Sequence, residues 1–268
     1  MKFKLAMCQM MPAKDKDESK RRFARMAEEA ASAGADVLVF PEMWTCPYMT
    51  QWISDFKEPE GGNFYTFMKE TAANLGVYIF GGSMPEAAGD KVYNTCYVFD
   101  RKGKQIGKHR KAHMFDIDVP GKIKFTESDF ITPGNKATVV DTEFGKIGVA
   151  ICFDIRFAEF SRRMALDGAN LIVLPAAFNL TTGPAHWELS VKMRAVDNQV
   201  CFAGVQPARD PECEFKAWAH STVSDPWGKV LASAGEGPQV VYADIDTDRI
   251  EEVRNNLPIM SGLRPEIY

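Results

Sequence analysis

The chain has 268 residues, 46% of them apolar and 11% aromatic, enough to bury a large core. Its 32 basic and 36 acidic residues leave a formal charge of -4, without the positive surplus that a nucleic-acid partner requires. The six cysteines, at 8, 46, 96, 152, 201 and 213, have neither CxxC nor Cys/His ligand spacing, which argues against a disulfide framework or a zinc site.

The opening MKFKLAMCQMMPAKDK reads as a strand rather than a signal peptide, because Lys4 and Gln9 interrupt its apolar stretch. Phe23, Met26, Ala27, Ala30 and Ala31 then share one helical face, and Gly34 ends that helix before a buried-type strand at 36–40. Phe64, Phe67, Met68, Thr71, Ala72 and Leu75 repeat the pattern up to Gly76, followed by the strand VYIFGGS. Beyond this point, turn signals at 88–90, 101–103 and 142–145 separate short strands, which predicts hairpins and therefore mixed sheets. A third helix is expected after Cys152, from Phe153 through Met164 and ending near Gly168. A fourth runs from Pro184 to Asn198, Asp225-Pro226-Trp227-Gly228 turns a hairpin, and a short charged helix follows Asp246. The longest apolar runs, such as LIVLPAAF at 171–178, are too short to cross a bilayer, so a soluble, cytoplasmic protein with no membrane partner is expected. About a dozen strands and four long helices fit two packed sheets with helices outside, in one α/β domain over 1–268.

In three places a β-rich run leads at once to a polar side chain: VLVF-Pro to Glu42, QIGKHR to Lys111, and KIGVAI to Cys152. Ligand sites in α/β folds assemble at the carboxyl ends of strands, so these three point to one pocket. A thiol needs to lose its proton to attack, and a helix start after Cys152 favours the thiolate. A carboxylate can take the proton, and a buried ammonium can stabilise both the carboxylate and a developing oxyanion. Taken singly, Cys152 also reads as core filling, Glu42 as a helix cap and Lys111 as one more surface charge in the run KHRK. A papain-like Cys-His pair competes, although none of the four histidines stands in such a signature, and a binding module without catalysis remains the other class.

FPEMW at 40–44, HRKAHMFD at 109–116 and ICFDIRFAE at 151–159 resemble, in order and spacing, the three signature segments of the nitrilase-like carbon-nitrogen hydrolases. The resemblance covers essentially the whole chain. It implies a four-layer α-β-β-α sandwich, a homodimer and a Glu-Lys-Cys triad. YNTC at 93–96, FDIDVPGKIKFTES at 115–128, AFNLTTGPAHWEL at 177–189 and RAVDNQV at 194–200 are similar to the family's omega-amidase branch, whose substrates are the monoamides of 2-oxo dicarboxylic acids. On that resemblance Glu42 is the general base, Lys111 stabilises the tetrahedral intermediate, Cys152 is the nucleophile and Glu127 is the second glutamate beside the triad. The N–H of Phe153 completes the oxyanion hole, Arg156, Thr182 and Tyr48 hold the 2-oxo acid end, and Phe178 forms a wall. Cys201 is expected to be core filling. No metal or organic cofactor has a role in this chemistry. A nitrilase, a carbamoyl-amine amidohydrolase and a deaminated-glutathione amidase remain the alternatives within the family.

Overall fold

The computed structural model describes residues 1–121 and 123–267. It opens with β1 (Lys2–Gln9), α1 (Lys16–Ser32) and β2 (Val37–Val39). Asp15 caps α1 by accepting from the N–H of Glu18, and the helix buries Phe23, Met26, Ala27 and Ala30, as its period predicts. Then come α2 (Thr50–Phe56), α3 (Asn63–Leu75) and β3 (Tyr78–Phe80). The sequence reading lacks α2, whose seven residues bury only Ile53 and Phe56 and so show no full helical period.

The expected hairpins form through β4 (Met84–Ala88), β5 (Lys91–Phe99) and β6 (Gln105–Arg110), and again through β9 (Thr138–Thr142) and β10 (Gly145–Val149). Between them, β7 (Asp116–Val119) and β8 (Ile123–Thr126) form a separate two-stranded ribbon. The expected long helix after Cys152 is broken. Cys152–Arg156 form a 3-10 turn, Phe157 is extended, and α4 covers only Ala158–Leu166. Asp154 folds its carboxylate back onto the N–H of Ile151, and Phe157 stacks on His113 with ring centres 3.7 Å apart, which together prevent a continuous helix.

The chain closes with β11 (Ala169–Pro175), α5 (Gly183–Asn198), β12 (Cys201–Val205), β13 (Thr222–Ser224), β14 (Val230–Ser233), β15 (Gln239–Asp246) and α6 (Thr247–Asn256). One sheet runs β15-β1-β2-β3-β5-β4, with β6 also on β5, and the other β14-β13-β12-β11-β10-β9. Both are mixed, with parallel triplets β1-β2-β3 and β10-β11-β12.

Strand alternation decides the layering. In the first sheet Leu5, Met7, Val37, Val39 and Val98 join the core shared with the second sheet. Their neighbours Ala6, Cys8, Leu38, Ile79 and Phe99 pack instead under α1 and α3. Helices α4 and α5 cover the second sheet, with Trp187 so close that a β-carbon on Gly204 would lie 2.5 Å from its ring. The result is a four-layer α-β-β-α sandwich of two mixed sheets. Among the described residues, no helix is long and apolar enough to cross a membrane.

Candidate active site

The carboxyl ends of β2, β6, β10 and β11 come together at one edge of the sandwich, and Glu42, Lys111, Cys152 and Phe178 follow them in turn. Alternation along β6 selects Lys111 from the run KHRK. Lys108 and Arg110 turn outward to Glu86, whereas His109 and Lys111 turn inward and are fully buried. Cys152 follows β10 with φ +46, and Met43, beside Glu42, has φ +50. For residues other than glycine this backbone region costs about 1–3 kcal/mol each, and such strain concentrates where a side chain must be aimed.

Lys111 Nζ lies 3.1 Å from Glu42 Oε1 and 2.7 Å from Glu127 Oε2, with all three side chains buried. Asn94 Nδ2 donates to Glu42 Oε1 at 2.7 Å, and the Phe115 N–H donates to Glu127 Oε2 at 2.6 Å. Among the described residues no hydrogen-bond donor meets the buried Glu42 Oε2, and the Cys152 thiol is close enough to interact with that carboxylate. Burial, aided by the charge of Glu127, lifts the Glu42 carboxyl above the usual carboxylate range against the pull of Lys111. Burial followed by the charge of Glu42 likewise holds the Cys152 thiol well above its ordinary value, while Lys111 and the Ala177 N–H work in the opposite direction. For Lys111 burial favours the neutral amine, but the two carboxylates outweigh it and keep the ammonium. The resting site therefore keeps its proton on sulfur, and the nearest acceptor is a carboxylate made unusually basic.

A narrow cleft beside Cys152 is lined by Tyr48, Phe115, Phe153, Arg156, Ala177, Phe178 and Thr182. Arg156 is half-buried, its guanidinium 5.5 Å from the Phe153 ring centre and 5.2 Å from that of Phe178. Its polar neighbour is His186 Nδ1 at 3.3 Å, and no acidic side chain pairs with it among the described residues. Burial accordingly lowers its pKa.

Residues 4–255 match the model of the carbon-nitrogen hydrolase family. The chain belongs to that family. Omega-amidase NIT2 of Danio rerio is 46% identical over 267 residues, covering all of this chain and 96% of the relative. The Mus musculus enzyme of the same name is 45% identical over 266 residues, covering 99% and 96%. The crystal structure of Saccharomyces cerevisiae Nit3, a nitrilase-superfamily member, superposes with a TM-score of 0.90 at 36% identity, covering all of this chain and 97% of that one.

In this carbon-nitrogen hydrolase the structure brings Glu42, Lys111, Glu127 and Cys152 into one buried cluster, with Arg156, Phe178 and Thr182 around the adjoining cleft. Tyr48 stands differently from expectation. Its ring lines the cleft, but its hydroxyl donates to Glu127 Oε1 at 2.8 Å and lies 3.4 Å from Lys111 Nζ, so it belongs to the lysine's network. The Thr182 hydroxyl donates to Asn179 Oδ1 at 3.2 Å. Arg156 ends a 3-10 turn rather than beginning a long α-helix, so a helix dipole is no part of its role. Phe153 is the second residue of that turn, where an N–H has no partner within the turn. Cys201 begins β12, at the strand end away from the cleft, and is buried.

Sequence reasoning missed three contributors. Asn94 sits on β5, and its carbonyl accepts from the Lys111 N–H, so cross-strand pairing within YNTC was the available signal. The Ala177 N–H, which touches the thiol, follows β11 and carries no side-chain signal. Asp154 accepts from the N–H groups of Ile151, Ala112 and His113 and lies 3.2 Å from His109 Nε2 and 2.7 Å from His113 Nδ1, tying the nucleophile turn to the Lys111 strand. Among the described residues no cluster of His, Cys, Asp or Glu is arranged to hold a metal.

Proposed function

We propose that the protein is an omega-amidase that hydrolyses the side-chain amide of 2-oxoglutaramate, 2-oxosuccinamate and similar monoamides to the dicarboxylate and ammonia. The observation that carries the substrate class is Arg156, a half-buried guanidinium beside the nucleophile between two aromatic rings, with no acidic partner among the described residues. Holding an unpaired cation there is costly, and a substrate carboxylate removes that cost with two parallel charge-assisted bonds. The full-length likeness to named omega-amidases supports the same reading.

In the proposed reaction Glu42 takes the proton of Cys152 as sulfur attacks the amide carbon. Lys111 and the Phe153 N–H stabilise the oxyanion, and Glu127 with Tyr48 fixes Lys111. Glu42 then passes the proton to the departing nitrogen, leaving a thioester. A water molecule, deprotonated by Glu42, hydrolyses it and restores the thiol. Thr182 and Phe178 confine the acid end. The cleft itself is small, about 10 Å³.

Two further statements belong to this proposal. The protein works in the reducing cytoplasm, in keeping with six free cysteines, five of them buried. It works as a homodimer through α4 and α5, which leave Leu166, Leu189 and Met193 exposed. The test of the function is ammonia release by purified protein from 2-oxoglutaramate, compared with glutamine, a simple nitrile and N-carbamoylputrescine. Preference for glutamine or the nitrile over the 2-oxo acid amide would overturn the reading.

A further inference from the structure

A second cavity, of about 390 Å³, reaches Glu42 of the triad and adjoins the Arg156 cleft at Tyr48 and Ala177. Its mouth lies at the exposed Lys14 and Asp15, and its inner end is Glu42. Among the described residues the two spaces share only Tyr48 and Ala177 as walls: Cys152 faces the narrow cleft, and Glu42 faces the large cavity. The inner wall is apolar, with Met43, Cys46, Ala208 and Ala217 buried around it. Of the charged groups nearer the mouth, Glu18 accepts from Arg22 at 2.7 Å and Asp15 caps α1, while the Lys14 side chain is exposed.

Stereochemistry assigns this space. The four substituents of the tetrahedral carbon are the Cys152 sulfur, the oxyanion directed at Lys111, the acid chain running to Arg156, and the nitrogen. That nitrogen takes its proton from Glu42, which lines the large cavity and not the cleft, so a group attached to the nitrogen on the Glu42 side faces that cavity. Ammonia needs little of this room, because one water-sized sphere requires only about 10–15 Å³ on the same measure.

Building on the omega-amidase reading, we propose that the large cavity is a leaving-group site that admits short apolar N-alkyl substituents, so that the enzyme also hydrolyses N-alkyl amides of the same 2-oxo acids. The carbon-sulfur bond forms, the carbon-nitrogen bond breaks, and the thiol proton leaves through Glu42 on the nitrogen as a primary alkylamine. Water then supplies hydroxide to the carbonyl carbon and a proton to sulfur, giving the dicarboxylate.

The experiment compares kcat/KM of the wild type for 2-oxoglutaramate and its N-methyl and N-propyl derivatives, and repeats it with Ala208→Leu. The alkyl amides are expected within about tenfold of the primary amide in the wild type, whereas a closed pocket discriminates by about 10- to 200-fold for each added methylene. Ala208→Leu is expected to lower the N-propyl rate at least about tenfold more than the primary-amide rate. A wild type that hydrolyses 2-oxoglutaramate but processes the N-propyl amide less than about a thousandth as well overturns the leaving-group site alone. Equal losses on both substrates in a folded Ala208→Leu variant overturn it too, because they place the acid chain in this cavity. A wild type inert toward 2-oxoglutaramate overturns the functional reading itself.

Discussion

A carboxylate and a thiol that are both buried and both hard to ionise define what each can be asked to do. Because Glu42 carries its own unused oxygen beside a protonated thiol, Glu42→Gln is expected to lower kcat by about two to four orders of magnitude. The same change is expected to slow alkylation of Cys152 by iodoacetamide at neutral pH, while Cys152→Ala abolishes both. Unchanged alkylation in Glu42→Gln would mean that the Ala177 N–H and Lys111 suffice to activate the thiol. Arg156 supports a different prediction, since its guanidinium lies between two rings of the cleft. Arg156→Lys and Arg156→Ala are expected to reduce kcat/KM for 2-oxoglutaramate by about two orders of magnitude or more, and hardly to affect a small uncharged amide. If both substrates fall together, Arg156 is structural. Glu42, Lys111 and Cys152 were legible in sequence because each follows a strand end, and alternation along KHRK turns Lys111 inward. The hydroxyl of Tyr48 was not legible, since its partner Glu127 is distant in sequence and joins it only when the ribbon of β7 and β8 folds over the site.

Between these side chains stands the short turn that carries the nucleophile, and Asp154 governs it. Burial alone would raise this carboxyl, but the hydrogen bonds from His109 and His113 prevail and hold it at about 2, below the ordinary value of 3.8. A carboxyl depressed on folding stabilises the native state above pH about 4, and that contribution, about 2 kcal/mol, is lost as the pH falls through about 2. Asp154→Asn is expected to cost about 3–5 kcal/mol in urea unfolding at pH 7, and to narrow its disadvantage as the pH is lowered toward 2. It is also expected to reduce kcat more than it changes KM, because the turn would no longer aim Cys152. Full stability in the asparagine variant would show that the backbone strain at Cys152 is held by something else. The expected helix through this segment failed for the same reason. Periodicity sees the apolar positions of α4, but not a side chain that returns to its own backbone three residues earlier. The other strands, the hairpin turns and the longer helices carried their own periods and terminators, so their order was readable, whereas α2 was too short to show a period and the four-residue strands of the β7–β8 ribbon were not read.

The turn is also held from outside, and this connects the site to the outer helices. Arg194 on α5 donates from Nε to the Ile155 carbonyl at 2.8 Å and from its other end to the Arg156 carbonyl at 3.3 Å. One residue before it, Met193 is exposed, and Leu189, one turn earlier on the same face, is 63% exposed. Leu166, at the end of the neighbouring α4, is 58% exposed. Large apolar side chains at this exposure on adjacent helices are stabilised by a second apolar surface, and a twofold pairing of α4 and α5 with a second copy provides one. Such a pairing fixes α5 and, through Arg194, the segment that carries Cys152 and Arg156. We therefore expect sedimentation equilibrium to show a dimer for the wild type and a folded monomer for Leu189→Asp combined with Met193→Asp. The monomer should lose at least about tenfold in kcat on 2-oxoglutaramate, since a small displacement of an attacking group is enough to cost that much. A monomeric wild type would remove the interface, and a fully active monomer would show that Arg194 holds the turn without help from a partner.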